Sequence, residues 1–135
     1  MAKIVLTDAV ITVNSVVLSE YSNSVTLTYE VDSVEVTGMS DSAHKFAGGL
    51  QNNSLEVAFM QDFAATKVEA TVYPLVGTTT TVKVKPTSAA VGATNPEYTL
   101  TGCYLASHTP VAGSVGELAM TTLTFTGGAL TKAVA

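Results

Sequence analysis

The sequence contains no Trp, no Arg and one Cys among 135 residues, and charged residues make up only 13% of it. A lone cysteine excludes an internal disulfide, and Cys103, set in the strand-like stretch Tyr98 to Leu105, is expected to be a buried, inert thiol. Six Lys against eleven acidic residues leave a net charge of -5 and a pI near 4.7. That balance lacks the basic footprint that holds phosphates tightly, so high-affinity DNA or RNA binding is excluded, and a polyanion passing close by would be repelled. No segment approaches the roughly 18 consecutive apolar residues of a membrane span, and no membrane partner is expected. The N-terminus carries one Lys, and Asp8 and Asn14 interrupt its apolar residues, so it does not read as a signal peptide. Without such a signal, the acceptor pattern Asn52-Asn53-Ser54 carries no weight as a glycosylation site.

Catalytic signals are equally sparse. His44 and His108 stand 64 positions apart, away from any ligand spacing that would hold a metal, and nothing resembles a nucleophile elbow. Gly48-Gly49 lacks the Gly-Lys-Ser/Thr ending of a phosphate loop and is read as permitting a tight reversal. The expectation is a protein without catalytic residues, cofactor or metal.

What the chain does have is Thr and Val, 21 and 19 of them. β-Branched residues favour pleated, half-buried strands, so the fold is expected to be mostly β, as one domain over residues 1–135. Short strands are expected over Ala2 to Leu6, Ala9 to Val13 and Val16 to Leu18, with an Asn14-Ser15 turn. Val25 to Val31 and Val34 to Thr37 follow as a hairpin or one bent strand. Leu55, Val57 and Phe59 alternate cleanly within Ser54 to Met60, and Thr80, Val82 and Val84 do so within Thr79 to Lys85. Tyr98 to Ser107 and Leu118 to Thr126 complete the set. One flanking helix is expected over about residues 62–73, capped by Asp62, with Ala64, Ala65, Val68 and Val72 as its apolar stripe and Pro74 and Gly77 closing it. A helix of that length would cap the open face of the sheet.

The stretch at about 38–53 fits neither period and reads as an extended loop. Loops of about 15 residues are long for a compact domain and are usually functional. Contact with a neighbouring copy is expected here, through Met39, Asp41, His44, Lys45, Phe46, Gly48, Gly49 and Leu50. Glu30, Asp32 and Glu35 read as a solvated face, and residues 127–135 as a short C-terminal tail, frayed or docked on a neighbour.

Several segments in order carry a resemblance: Glu35-Val36-Thr37-Gly38-Met39-Ser40-Asp41, Gly49-Leu50, Gln61-Asp62-Phe63-Ala64-Ala65, Tyr73-Pro74-Leu75-Val76-Gly77-Thr78, Lys85-Pro86-Thr87-Ser88, Ala93-Thr94-Asn95-Pro96 and Gly113-Ser114-Val115-Gly116-Glu117-Leu118-Ala119. Over nearly its whole length the chain resembles the major tail proteins, or tail tube subunits, of long non-contractile-tailed bacteriophages. It departs from them at His44-Lys45-Phe46, where such proteins often carry Arg. The resemblance implies a β-sandwich or barrel-like tail-tube fold with a flanking helix, related to the tube protein of type VI secretion. It implies a structural virion protein, made in the bacterial host cytoplasm, that self-assembles into stacked hexameric rings. Its partners would be itself, the tape measure and other tail proteins, with genomic DNA passing through a lumen that Glu30, Asp32 and Glu35 would face. The rival readings are a capsid decoration or tail-completion protein, and a β-sandwich carbohydrate-binding module of a tail tip, for which five Tyr and no Trp give little support.

Overall fold

The computed structural model describes residues 5–65 and 67–134. In chain order the strands are β1 (Val10–Val13), β2 (Val16–Val17), β3 (Ser22–Thr28), β4 (Val31–Glu35), β5 (Phe46–Gln51), β6 (Ser54–Met60), β7 (Thr79–Lys85), β8 (Glu97–Leu105), β9 (Met120–Thr126) and β10 (Ala129–Ala133). A short helix, α1 (Val68–Val72), lies between β6 and β7. Eight strands form one antiparallel sheet in the order β2-β1-β7-β8-β9-β6-β3, with β10 also on β8, while β4 and β5 pair with each other. The strand expected from Ala2 begins outside the described residues, and Val5 and Leu6 are not in a strand.

Period-two alternation builds the core. Leu55, Val57 and Phe59 of β6 face inward beside Leu123 and Phe125 of β9, in the register Leu55↔Phe125 and Val57↔Leu123. Ile11, Val13, Val82, Leu100 and Leu105 close the same cluster. Each such side chain contributes about 1.5–3 kcal/mol by leaving water, which is why the alternating strands settle with these residues inside. Cys103 is fully buried with its thiol against the Thr80 carbonyl, and burial pushes that thiol above its usual range, as expected of an inert core group. Asn14 and Ser15 take φ of 49° and 68°, the left-handed pair that a two-residue hairpin between β1 and β2 needs.

Residues 129–133 of the expected tail are part of this sheet, as β10. Tyr104↔Thr126 and Thr101↔Ala129 continue a single register along β8, so β9 and β10 act as one strand bent between them. The bend is at Gly127-Gly128, both at positive φ, opposite a bulge where Gly102 is also left-handed. A side chain at Gly128 would lie 2.5 Å from the Thr101 carbonyl oxygen, so glycine is required.

The helix is shorter than its sequence signals suggest. Asp62 Oδ1 accepts a hydrogen bond from the Ala64 N–H at 2.9 Å, closing a local turn in place of capping a helix. The α-helical turn starts at Val68, without a side-chain cap, and runs into a 3-10 turn at Tyr73–Leu75 that contains Pro74. Its buried stripe is Val68, Val72 and Leu75, while Ala64 and Ala65 are exposed.

Candidate functional site

The stretch expected to be an extended loop is instead the return half of a β-ribbon. β4 and β5 pair as Ser33↔Gly48, Val34↔Ala47 and Glu35↔Phe46, with a bulge nearer the root. Every residue of both strands is exposed, so the ribbon stands off the body as an arm. Gly48 and Gly49 serve this arm as strand residues. A side chain at Gly49 would press on Val34 and on the Asp32 backbone at 3.2–3.3 Å, so its absence lets the two strands lie flat.

The tip is a self-contained polar knot. Glu35 accepts hydrogen bonds from Thr37 Oγ1 at 3.0 Å and from the His44 imidazole. Lys45 Nζ reaches Asp41 Oδ1 at 2.8 Å, and the other Asp41 oxygen accepts the Gly38 N–H. Those bonds hold the Asp41 carboxyl below its usual range, Lys45 first and Gly38 second. Lys45 N–H closes the ring on Thr37 Oγ1 at 2.9 Å. The departure at His44-Lys45 therefore carries a hydrogen bond from His44 to Glu35 and an ion pair between Lys45 and Asp41, and Met39 stands fully exposed at the turn.

The candidate residues thus divide in two. Asp41, His44 and Lys45 come together at the tip with Met39, while Phe46, Gly48, Gly49 and Leu50 line the arm, where Phe46 and Leu50 are exposed apolar groups. The acids do not form one row. Gly49 has both Asp32 and Val34 on its side of the ribbon, and Glu35, next in sequence to Val34, points to the other side with Phe46. Glu30 sits at the root, its N–H donated to Asn53 Oδ1 at 3.2 Å.

That root holds a residue the sequence did not flag for this role. Asn53, 1% exposed, ties the arm to the bend in the neighbouring strand. Its side-chain amide donates to Gln51 Oε1 at 2.8 Å and to the Gly128 carbonyl at 3.2 Å, and its own carbonyl accepts the Gly127 N–H. Gln51 Oε1 also accepts the Leu130 N–H. Only a buried amide with two donors and an acceptor satisfies this set. The signal was present as Asn52-Asn53 beside a strand start, but its partner at the bend, Gly128, lies 75 residues away in sequence.

The second histidine is elsewhere. His108 Nδ1 bonds to Thr121 Oγ1 at 3.2 Å, beside Thr109, and its Nε2 is buried without a partner among the described residues. Among the described residues there is no group of three or more His, Cys, Asp or Glu placed to hold a metal, and no helix long and apolar enough to cross a membrane.

An open antiparallel β-sandwich with one short helix and a projecting two-stranded arm is thus the architecture. It is a mostly β tail-tube fold, shared with chains of tail and injection assemblies. No protein-family model and no curated protein matches the chain. Among solved structures it resembles a chain of the PVC sheath-tube complex of an extracellular contractile injection system in its extended state, at 11% identity and a TM-score of 0.70, over 98% of this chain and 93% of that one. It also resembles a chain of the sheath/tube terminator of that system, at 12% identity and a TM-score of 0.72, over 96% of both chains. A chain of the virion of a native gene transfer agent particle gives 16% identity and a TM-score of 0.65, over 94% of this chain and 96% of that one. At these identities the likeness is one of fold.

Proposed function

We propose that this protein is a tail tube subunit of a phage-like particle, a structural virion protein that stacks on copies of itself to form a conduit for DNA. The observation that carries the reading is that the fold agrees end to end with chains of sheath-tube and tail assemblies, covering more than nine-tenths of each. A free two-stranded ribbon is marginal in water by itself. An arm of this kind is expected to be covered by a neighbour, and the arm tip and its apolar strand residues are the proposed contact. Six-fold rings are favoured by the likeness to a chain from a gene transfer agent tail refined with C6 symmetry, at 18% identity and a TM-score of 0.57. The assignment to long non-contractile tails rests on the sequence segments alone. With a net charge of -5 and no Arg, the subunit as a whole repels phosphate, so DNA can pass without sticking. The tape measure and other tail proteins are proposed as further partners.

A tail-completion protein is the second reading, favoured by the likeness to a tube terminator and to a tube-terminating cap. A subunit that builds the tube makes an open head-to-tail polymer, whereas a terminator stops at one closed ring. Sedimentation velocity at rising concentration separates them. The tube reading expects species that keep growing, and a plateau at a single ring would replace it with the terminator.

A further inference from the structure

A groove in the core lies where the chain enters the fold. Val25 and Leu27 of β3, Val84 of β7, Tyr98 of β8 and Leu130 of β10 line it with half-buried side chains, around a volume of about 420 Å³ and with no acidic residue. Leu6 and Ala9 line it too, so the polypeptide that leads into β1 runs along this groove. β3 is the last strand of its sheet, and its outer edge is unpaired among the described residues. An apolar groove and a free strand edge are both unfavourable in water, and one extended segment laid over them relieves both.

The sequence at the start of the chain has the pattern such a segment needs. In Ala2-Lys3-Ile4-Val5-Leu6, Ala2, Ile4 and Leu6 fall on one side of an extended stretch, and Lys3 and Val5 on the other. Val5 is 81% exposed while Leu6 lines the groove, so the side shared by Leu6, Ile4 and Ala2 is the one toward the groove. The base of the segment is pinned, because Asp8 Oδ2 accepts hydrogen bonds from Ser88 Oγ at 2.7 Å and from the Ser88 N–H at 3.3 Å, in the turn beyond β7. An extended chain advances about 3.3 Å per residue, which sets Ile4 about 7 Å beyond Leu6. Tethered so close, Ile4 acts at an effective concentration on the order of millimolar, and a separate molecule at about micromolar concentration would have to bind about a thousandfold more tightly to displace it.

We propose that the occupant of the groove is the chain's own segment 2–4: Ile4 packs against Leu27 and Leu130, Ala2 follows on the same side, and Lys3 stays in water. The segment is a strap that completes the core of the single subunit and covers the outer edge of β3. An edge covered in this way cannot template pairing with another chain, so the strap protects the unassembled subunit from aggregation. The contact is intramolecular and does not depend on the reading that the chain assembles with itself.

Maleimide labelling of Leu27→Cys in the full chain tests this, read by mass on the peptide that carries position 27 and at concentrations where sedimentation shows a monomer. Cys103 is fully buried, and its peptide is read separately. Adding Ile4→Asp is expected to speed labelling at position 27 by about tenfold, because a charge cannot stay in the apolar groove and the burial of an isoleucine is lost. Adding Val5→Asp instead, one position along on the solvent side, is expected to leave the rate unchanged. Equal rates with Ile4→Asp and without it, or an equal acceleration by both aspartates, overturn the proposal. Protection that appears only as concentration rises also overturns it and gives the groove to a second copy. If circular dichroism shows that Leu27→Cys does not fold, urea melts of chains altered only at the strap decide. Ile4→Ala is then expected to lower the midpoint and Val5→Ala to leave it in place, and equal midpoints for the two overturn the strap.

Discussion

Asn53 shows how a single amide sets the geometry of an element it does not belong to. Burying a side chain that carries two donors and an acceptor is unfavourable unless each is satisfied, and here the arm root and the Gly127-Gly128 bend satisfy them. Asn53→Asp keeps the shape but turns the two donors into an acceptor facing Gln51 Oε1 and the Gly128 carbonyl. We expect it to lower stability by about 1–3 kcal/mol, read as a fall in the urea midpoint, and an unchanged midpoint would show that the bonds contribute nothing. His108 makes a pH prediction of the opposite kind to a paired histidine. Burial lowers its pKa below the ordinary 6.5, with the nearby Glu69 charge opposing that only in part. The unfolded chain therefore binds the proton more readily, so the contribution is intact above about pH 6.5 and is lost as pH falls below it. Thermal melts should show wild type losing more Tm between about pH 7 and pH 5 than His108→Asn does. Equal losses would mean that His108 takes up its proton as readily in the folded chain as in the unfolded one.

At the scale of elements, the legible parts were those with a buried and an exposed face. β6 and β7 alternate in sequence because one side meets the core, and they were readable to the residue. β5 was not, because Phe46 to Gln51 is exposed on both faces and contains two glycines, so no period-two contrast exists to be seen. β10 was hidden for a related reason: Ala129, Thr131 and Ala133 are small, and the strand is specified by its register on β8 and by two glycines at the bend. The helix start was misplaced because Asp62 can close a short turn as well as cap a helix. The location of the arm was legible from its length and polarity, its form was not, and Asn53 entered the candidate site only with the fold. The arm is separable on this structure, since Asn52 N–H bonds to the Glu30 carbonyl at 2.7 Å across its root. Replacing residues 31–51 with a two-residue Asn-Gly turn is expected to leave a cooperatively folded monomer that no longer assembles. A product without a cooperative melt would show that the arm belongs to the folding core.

For the whole molecule, the open sandwich, the projecting arm and the acidic surface fit one account. A sheet with free edges is a liability for a protein that remains alone, and a closed or propagating assembly removes it. The charge of -5 per subunit slows encounter between copies at low salt and is screened within about 8–10 Å near physiological ionic strength. Assembly should therefore be favoured by moderate salt, in contrast to a nucleic-acid binder, which salt weakens. The measurement that bears most directly on the central claim is negative-stain electron microscopy of the purified chain over a series of concentrations, with and without added salt. Hollow tubes of stacked rings that lengthen with concentration are the predicted result, and particles that remain monomeric at every concentration and salt would contradict it.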